Sequence, residues 1–571
     1  MSTSGALSRI RMQIMWNRLI SVVEEQAQAL LRTAFSSMVR ECGDLSAGVF
    51  DLEGRMLAQA VTGTPGHVNS MAESVVHFIA HFPIETMREG DIYITNDPWQ
   101  GTGHLNDFVL TTPAFHKGHL VGLFSCTSHL IDIGGIGFGP DATDVHMEGI
   151  YIPFLKLAEE GKLNQSLMAM IKANTRQPVE TEGDVYSLAA CNDVGCQRLS
   201  EMMDEFALDN LDELSAHIID SSRDAVLARI AELPEGTYHN SVRADGYDHE
   251  VDVIAAMTIS AEGIHVNYEG TAPISKYGIN VPLSYTKAYT CYGLACTVAA
   301  GIPNNAGSLA PFTISAPVGS ILNAVYPAPV SSRHIVGHML PDTIFGCLKQ
   351  AIPDGIPAEG SATLWILSYR GRHQGANEPD AGYTTSAVTA GGTGARPNKD
   401  GLSATGFPSG VKGTPVEILE STAPVVVWRK ELHTDSAGAG RYRGGLGQVI
   451  EVESRDGSTF ELLAAFERIK NPACGRDGGL RGGAGYLGLA SGSTLRGKGF
   501  QEIPEGERLI VRTPGGGGMG VPTERDPSAV QADVLDGLVS AEAADSIYGV
   551  VMTADGAIDA AATEARRNAA S

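Results

Sequence analysis

Apolar residues recur every three to four positions in several stretches of the chain. Between residues 10 and 38 this spacing predicts one long amphipathic helix with a single buried face. A helical pattern returns at 163–233 and stops at the turn Pro234-Glu235-Gly236. A shorter helical stretch, 285–300, ends before Gly301-Ile302-Pro303. Helices are therefore predicted to carry much of the first half of the chain.

Short apolar runs separated by tight turns lie between these helical stretches. Residues 45–50 and 53–60 predict a hairpin, and 91–95 predicts a single strand. Residues 109–115 and 119–128 lie on either side of a Lys117-Gly118 turn and predict a second hairpin. Because Pro113 lies within this hairpin, we expect a bulge there.

The change from helical to alternating patterning near Pro234 sets the predicted architecture. A chain of 571 residues is too long for one ordinary core. We predict an α+β fold of several modules, beginning with a helix-and-hairpin module at 1–233. A central α+β module would span 234–423. A glycine-rich β module would span 424–571 and end in a frayed, alanine-rich tail.

Composition narrows the class of protein. Asp and Glu number 66 against 41 Lys and Arg, a net charge of −25, which argues against nucleic acid or an anionic membrane surface as the main partner. The eight cysteines are sparse and form no CxxC pair, as is typical of reduced thiols in cytosol. No apolar span reaches 18 residues. We therefore expect a cytoplasmic protein that is neither exported nor membrane-spanning.

Three common nucleotide-binding and catalytic motifs are missing from the sequence. There is no GxxxxGK[ST] loop, HExxH or GxSxG. The glycine run at 515–520 lacks the Lys and Ser/Thr that would hold phosphate and magnesium. Close approach between glycine backbones is the favoured interpretation, and no cofactor-binding loop is predicted. The arginines around Tyr442 are interpreted as part of a structural turn.

The segment 96–129 carries the strongest chemical signal. His104 and Asp107 lie three residues apart in a glycine-rich stretch, and a two-residue turn at Lys117-Gly118 places Asp107 nearly opposite His129. Two imidazoles and one carboxylate are a common open ligand set for catalytic zinc, manganese or iron. The spacing alone is equally compatible with two histidines that hydrogen-bond to ordinary neighbours. Asp44, taken alone, is typical of a cap or turn residue.

The sequence from Asp44 to His129 resembles the hydantoinase B/oxoprolinase family, and matching motifs continue in order along almost the whole chain. The family includes N-methylhydantoinase, oxoprolinase, caprolactamase and, more distantly, acetone and acetophenone carboxylases. The motifs include Pro65-Gly66-His67, Asn96-Asp97-Pro98, Gly103-His104-Leu105-Asn106-Asp107, Ser128-His129, Glu148-Gly149, Pro327-Ala328-Pro329-Val330, Gly438-Ala439-Gly440-Arg441-Tyr442-Arg443-Gly444-Gly445 and Arg525-Asp526-Pro527.

The resemblance implies a division of labour between two subunits. A partner of the hydantoinase A type, an actin-like ATPase, would use ATP-Mg to phosphorylate the amide oxygen of a cyclic amide, and this chain would complete hydrolysis. The family's metal ligands fall on His104, Asp107 and His129, with Zn²⁺ or Mn²⁺ as the ion, and its proposed general base falls on Asp44. We expect a heterotetramer or a larger assembly.

Asp132 and Glu148 are candidates for orienting the imidazoles of the metal ligands.

Two other functions stay open: a subunit of an ATP-dependent ketone carboxylase of the acetone or acetophenone type, and a non-catalytic scaffold. The sequence does not identify the particular cyclic amide or ketone.

Overall fold

The computed structural model describes residues 3–372 and 382–570, which form two compact units. Unit 1 comprises 1–240 and 254–333, and unit 2 comprises 241–253 and 334–571. The prediction of a mixed α+β, multi-module chain is confirmed, with 33% helix and 24% strand. The proposed divisions at 233 and 423 stay predictions.

Unit 1 contains the following helices and strands. The helices are α1 (Thr3–Thr33), α2 (Ser37–Arg40), α3 (Pro65–His81), α4 (Gln165–Asn174), α5 (Pro178–Phe206), α6 (Asp212–Ile230), α7 (Leu283–Thr297) and α8 (Ala306–Leu309). The strands are β1 (Leu45–Phe50), β2 (Met56–Gln59), β3 (Ile92–Thr95), β4 (Asp107–His116), β5 (His119–His129), β6 (Leu155–Glu159), β7 (Lys162–Leu163), β8 (Gly236–Ala244), β9 (Val251–Ser260), β10 (Gly263–Asn267) and β11 (Phe312–Ser315). The chain passes into unit 2 within β8 and returns within β9.

A seven-stranded antiparallel sheet, ordered β2-β1-β5-β4-β3-β6-β7, is the centre of the first 163 residues. Both of its faces are covered by helices. On one face Val49 and Phe124 pack with residues of α1, α5 and α6. On the other face Phe50 and Leu123 pack with α3. Because successive strand residues point to opposite faces, burial on both sides explains why these strands lack a clear apolar–polar alternation.

The predicted hairpin is confirmed as β4 and β5. Lys117 and Gly118 form its turn with φ of 50° and 79°, the left-handed values of a type I′ turn. The expected bulge lies between Ala114 and Phe115. Beyond it the register continues to the far end of the hairpin, where Asp107 pairs with His129.

The long N-terminal helix ends earlier than predicted. α1 stops at Thr33 and α2 follows a short break. At that break the backbone N–H groups of Phe35 and Ser36 donate to Oδ1 of Asp184, at 2.7 and 3.1 Å. A carboxylate on α5 therefore replaces the helical hydrogen-bond partners that the apolar pattern alone would predict.

The remaining sheet of the chain's middle region has the order β11-β10-β9-β8. Its β10–β11 pair is parallel and the β9–β10 pair is antiparallel. Strand β9 shows a regular alternation of buried and partly exposed residues. This sheet therefore has one covered face and one open face, as the period-2 pattern predicts.

Unit 2 combines β-sheets with short helices. Its helices are α9 (His334–Gly337), α10 (Leu340–Ala351), α11 (Val416–Thr422), α12 (Pro527–Leu535), α13 (Ala541–Ser546) and α14 (Ala560–Ala570). Its strands are β12 (Trp365–Arg372), β13 (Gly382–Thr389), β14 (Val425–Leu432), β15 (Gln448–Ser454), β16 (Phe460–Ala465), β17 (Tyr486–Leu489), β18 (Lys498–Ile503) and β19 (Arg508–Arg512). Two four-stranded sheets, β13-β12-β16-β18 and β14-β15-β19-β17, contribute to one apolar core that includes Trp365, Phe460 and Val511.

Glycine-rich segments outside the helices and strands form a second structural feature of unit 2. Their backbones hydrogen-bond to one another: the Gly516 N–H donates to Gly445 at 3.0 Å, and the Gly438 N–H donates to Gly516 at 2.8 Å. A Cβ atom on Gly516 would lie 1.9 Å from the Thr393 carbonyl oxygen. We call the segments 391–394, 438–447, 475–485 and 515–518 the glycine bundle. The predicted close approach of glycine backbones is confirmed.

The C-terminal segment differs from the predicted frayed tail. Residues 560–570 form helix α14. Arg567 on this helix donates to the carbonyl oxygens of Arg525 and Tyr548, at 2.7 and 3.2 Å. Among the described helices, none combines the length and the apolar character needed to cross a membrane.

Candidate metal centre

The ends of three neighbouring strands bring the predicted site residues to one edge of the seven-stranded sheet. Asp107 begins β4, His129 ends β5, and Asp44 directly precedes β1. Asp107 and His129 are register partners, and the His129 N–H donates to the Asp44 carbonyl at 3.2 Å. The predicted pairing of Asp107 with His129 is confirmed, and the local cause is the type I′ turn at the opposite end of the hairpin.

His104 reaches this edge from the glycine-rich loop that precedes β4. Its Nε2 lies 2.7 Å from Oδ1 of Asp107. Gly103 adopts φ of +98°, a backbone conformation that favours glycine, and a Cβ on it would contact Arg333 at 2.7 Å. A Cβ on Gly101 would lie 2.4 Å from the Asp97 carbonyl oxygen. Both glycines are therefore required by the path of the loop.

His104, Asp107 and His129, called the metal triad below, offer three potential ligand atoms within 4.8 Å of one another. All three residues are buried, with exposed fractions of 2%, 0% and 3%. His129 Nδ1 lies 3.2 Å from Oδ1 of Asp107, and no hydrogen-bond partner for its Nε2 lies among the described residues. A buried carboxylate shared by two imidazoles, one with an unpartnered nitrogen, fits a divalent metal ion.

The protonation states of His104 and Asp107 also suit metal binding. Burial and the nearby Arg333 guanidinium lower the pKa of His104 to about 3, so its imidazole is neutral. Its Nδ1 lies 2.8 Å from the Ser331 carbonyl oxygen, which requires the proton on Nδ1 and leaves the Nε2 lone pair toward Asp107. Burial raises the pKa of Asp107, but His104, His67 and Arg333 together hold it well below its usual range. The Nε2 of His104 and the carboxylate of Asp107 are therefore available as ligand atoms without loss of a proton.

Asp44 lies beside the triad, and the His67 side chain lies between its carboxylate and that of Asp107. Its Oδ1 accepts a hydrogen bond from Thr64 Oγ1 at 3.0 Å and lies 3.4 Å from Nδ1 of His67. The Nε2 of the same His67 lies 3.0 Å from Oδ2 of Asp107. The roles of general base and of fourth metal ligand for Asp44 both stay predictions.

The two candidates for orienting the imidazoles occupy different surroundings. Asp132 Oδ1 accepts hydrogen bonds from Arg176 Nη1 at 2.7 Å and from the Gly134 N–H at 3.1 Å, and its hydrogen-bond partners among the described residues include no imidazole. Glu148 Oε1 accepts from the N–H groups of Val330 and Ser331, at 2.6 and 2.8 Å. Because the Ser331 carbonyl contacts His104, Glu148 is connected to the triad through the backbone.

Two residues that the sequence did not indicate as site residues lie against Asp107 in the fold. These are His67, in the first turn of α3, and Arg333, whose Nη2 lies 2.6 Å from Oδ2 of Asp107. His67 belongs to the motif Pro65-Gly66-His67, which carries part of the family resemblance but suggests no role for the histidine. Arg333 lies 226 residues from Asp107 in the sequence, and no sequence motif pointed to it.

The comparisons with known proteins identify a family and agree with this fold. The family model described as hydantoinase B/oxoprolinase matches residues 8–522, and the chain belongs to that family. It is 29% identical to a protein provisionally named as one subunit of a D-/L-hydantoinase in Pseudomonas sp. (strain NS671), covering 96% of each chain. It is also 29% identical to the beta subunit of caprolactamase from Pseudomonas jessenii, covering 98% of this chain and 99% of that one.

Two solved structures have the same overall fold. The crystal structure of the ATP-dependent caprolactamase from Pseudomonas jessenii matches with a TM-score of 0.89 at 28% identity, over 98% of this chain and 99% of that one. A nucleotide-free acetone carboxylase structure matches with a TM-score of 0.86 at 20% identity, over 98% and 83% of the two chains. The second match shows the shared fold alone.

Proposed function

We propose that this chain is the metal-dependent subunit of an ATP-dependent hydrolase of cyclic amides such as hydantoins, lactams or oxoproline. The observation that carries the proposal is the buried metal triad with Asp44 beside it. Membership of the hydantoinase B/oxoprolinase family supports the same reaction class. The relatives named as hydantoinase and caprolactamase subunits act, by their names, on compounds that contain a ring amide.

In this proposal His104, Asp107 and His129 hold one divalent ion, Zn²⁺ or Mn²⁺. Such an ion lowers the pKa of a water molecule that it binds to about 7 and so supplies a nucleophile at neutral pH. We assign to Asp44 the acceptance of a proton from that water and its return to the departing ring nitrogen. Thr64 donates a hydrogen bond to the Asp44 carboxylate, and the His67 imidazole lies 3.4 Å from it.

A second subunit is part of the proposal. A ring amide is a poor electrophile, and phosphorylation of its oxygen would correct that. Attack by one water and cleavage of the C–N bond would then leave an acyl phosphate, and a second water would release the phosphate. This sequence has no phosphate-binding loop of the GxxxxGK[ST] type, and the 515–518 glycines belong to the glycine bundle. We therefore assign ATP-Mg binding to an actin-like ATPase partner of the hydantoinase A type. Two relatives are named as single subunits of a hydantoinase and of a caprolactamase, which supports a multi-subunit enzyme, and we propose a heterotetramer or larger assembly.

Ketone carboxylation is the second candidate function. The acetone carboxylase fold covers nearly the whole chain, and a site that accepts a phosphorylated ring amide could accept a phosphorylated enol. The identity to that structure is 20%, compared with 28% to caprolactamase. The hydrolase is therefore the preferred proposal, and a non-catalytic scaffold is the third.

An assay of the purified chain with its ATPase partner tests these alternatives. The pair is supplied with ATP and either a panel of hydantoins, lactams and oxoproline or a panel of ketones with bicarbonate. We expect ring opening coupled to ATP hydrolysis with the first panel, and neither reaction with this chain alone. Carboxylation of ketones would favour the second candidate. Full activity in a His104→Ala/His129→Ala variant would favour the scaffold.

A further inference from the structure

The two oxygens of Asp107 have different partners. Oδ1 faces the triad, at 2.7 Å from His104 Nε2 and 3.2 Å from His129 Nδ1. Oδ2 faces away from it, at 2.6 Å from Arg333 Nη2 and 3.0 Å from His67 Nε2. One oxygen thus lies among the potential metal ligands, and the other lies between two basic side chains.

Arg333 is fixed by contacts on several sides. Its Nε donates to the Thr102 carbonyl at 2.8 Å, and its guanidinium carbon lies 4.0 Å from the centre of the Tyr285 ring. Its exposed fraction is 2%. The Cα of Gly103 lies against the same side chain, where a Cβ would be 2.7 Å from Cδ and Nε. The guanidinium therefore has little freedom to leave Asp107.

His67 is fixed in a comparable way. It lies in the first turn of α3, which begins with Pro65, and its exposed fraction is 4%. The preceding Gly66 packs so closely on Tyr289 that a Cβ would lie 2.3 Å from the ring. Its Nδ1 lies 3.4 Å from Asp44. This imidazole therefore stands between the two carboxylates of the site.

We propose that Arg333 and His67 are positioning residues that hold Oδ2 of Asp107 and restrict this carboxylate to a single metal-binding oxygen. The inference rests on the proposed metal role of the triad. Arg333 Nη2 donates a hydrogen bond to Oδ2 and His67 Nε2 forms an ion pair with the same oxygen, and charge-assisted contacts of this kind are the stronger ones. Only Oδ1 then remains for the ion.

The number of oxygens that Asp107 offers has a chemical consequence. With one oxygen and two imidazole nitrogens, the protein supplies three ligands and leaves positions open for water and substrate, as in catalytic zinc sites. A carboxylate that binds through both oxygens would occupy one of those positions. Partners that orient a ligand in this way commonly contribute roughly 10–100-fold to metal affinity.

The test uses the full-length chain loaded with Co²⁺, whose visible absorption reports coordination number. The variants are Arg333→Gln and His67→Gln. Arg176→Gln, which removes an arginine from Asp132, and His116→Gln, a buried histidine 2.8 Å from Ser200, are the matched controls. We expect a roughly 10–100-fold loss of Co²⁺ affinity and an altered spectrum in the first two variants, with both properties unchanged in the controls.

Each outcome has a defined meaning. Wild-type affinity and spectrum in both Arg333→Gln and His67→Gln would overturn this inference while the proposed function stands. Failure of the wild-type chain to bind Co²⁺, Zn²⁺ or Mn²⁺ would overturn the proposed function itself. If Arg333→Gln does not fold, His67→Gln decides the question alone: an altered spectrum in that folded variant would support the inference, and a wild-type affinity and spectrum would overturn it. Arg333→Lys, which keeps the charge and a donor, should retain the wild-type spectrum.

Discussion

The metal triad of unit 1 and the glycine bundle of unit 2 are both assembled from distant segments of the chain, but they depend on opposite properties of their residues. At the triad, the side chains of His104, Asp107 and His129 offer the potential ligand atoms, and the strands bring them together. In the glycine bundle, the absence of side chains lets backbones approach, as at Gly516 and Thr393. The first region should tolerate loss of its side chains without loss of fold. The second should not tolerate any added one.

The largest effect is expected from adding one methyl group to the glycine bundle. In Gly516→Ala the new Cβ would meet the Thr393 oxygen at 1.9 Å, and the hydrogen bonds to Gly445 and Gly438 fix the backbone on both sides. We expect destabilisation by more than about 4 kcal/mol, measured as the loss of soluble protein and a lower thermal midpoint.

Gly413→Ala is the matched control in the same unit. There the nearest atom to a new Cβ is the Val388 oxygen at 3.6 Å, an ordinary contact. We expect a change within about 1 kcal/mol. Equal stability of the two variants would show that the glycines of the bundle are not required by close packing.

Removal of the triad imidazoles should abolish metal binding and activity but leave the stability of the fold nearly unchanged, the opposite of the effect expected for Gly516→Ala. We expect His104→Ala/His129→Ala to lose bound metal and partner-coupled activity together, because two of the three proposed ligands are gone. Its thermal midpoint should stay close to that of metal-free wild type, since the apolar cores of unit 1 do not include these side chains. Elemental analysis and an assay with the ATPase partner measure both effects. Full metal content in the double variant would end the metal proposal.

The sequence predicts contacts in these two regions only where the contacting residues lie close together along the chain. The Asp107–His129 pairing was predictable because both residues belong to one hairpin, whose turn at Lys117-Gly118 fixes the register. The contact between Asp107 and Arg333 joins residues 226 positions apart. Neither periodicity nor motif spacing carries information over that distance, so the sequence did not indicate Arg333.

The glycine bundle shows the same limit in another form. The composition of the 515–520 segment indicated that backbones approach closely there. It did not indicate that Gly516 meets Gly445, Gly438 and Thr393, because glycine has no side-chain pattern from which pairing could be inferred.

A single substitution at Asp44 distinguishes the two roles predicted for it, general base and fourth metal ligand. As a general base, Asp44→Asn should retain metal and lose on the order of 10²–10⁴ in turnover rate with the ATPase partner. Asparagine keeps the size of the side chain and can still accept the hydrogen bond from Thr64. A parallel loss of metal content would instead identify Asp44 as a fourth ligand. Unchanged turnover would rule out both roles.

The smallest effect is expected from the buried carboxyl of Glu148, which is connected to the triad only through the backbone and should influence the pH dependence of stability. Burial raises the pKa of Glu148 from its ordinary 4.5 to about 8, despite the two N–H groups of Val330 and Ser331 that favour the charged form. The folded chain therefore holds this proton more tightly than the unfolded chain. Its stabilising contribution is complete below about pH 4.5 and is lost as the pH rises to about 8.

Glu148→Gln removes this titration and preserves an oxygen that can accept from Val330 and Ser331. We expect the stability of the metal-free wild type to fall relative to that of Glu148→Gln between about pH 5 and about pH 9, by a few kcal/mol at most, since each unit of pKa shift corresponds to about 1.4 kcal/mol. Urea midpoints at several pH values measure the difference, and Glu89→Gln, at an exposed position of the same unit, is the control. Parallel pH curves for wild type and Glu148→Gln would show that Glu148 is charged in the folded chain. The interpretation that its buried carboxyl is neutral would then be wrong.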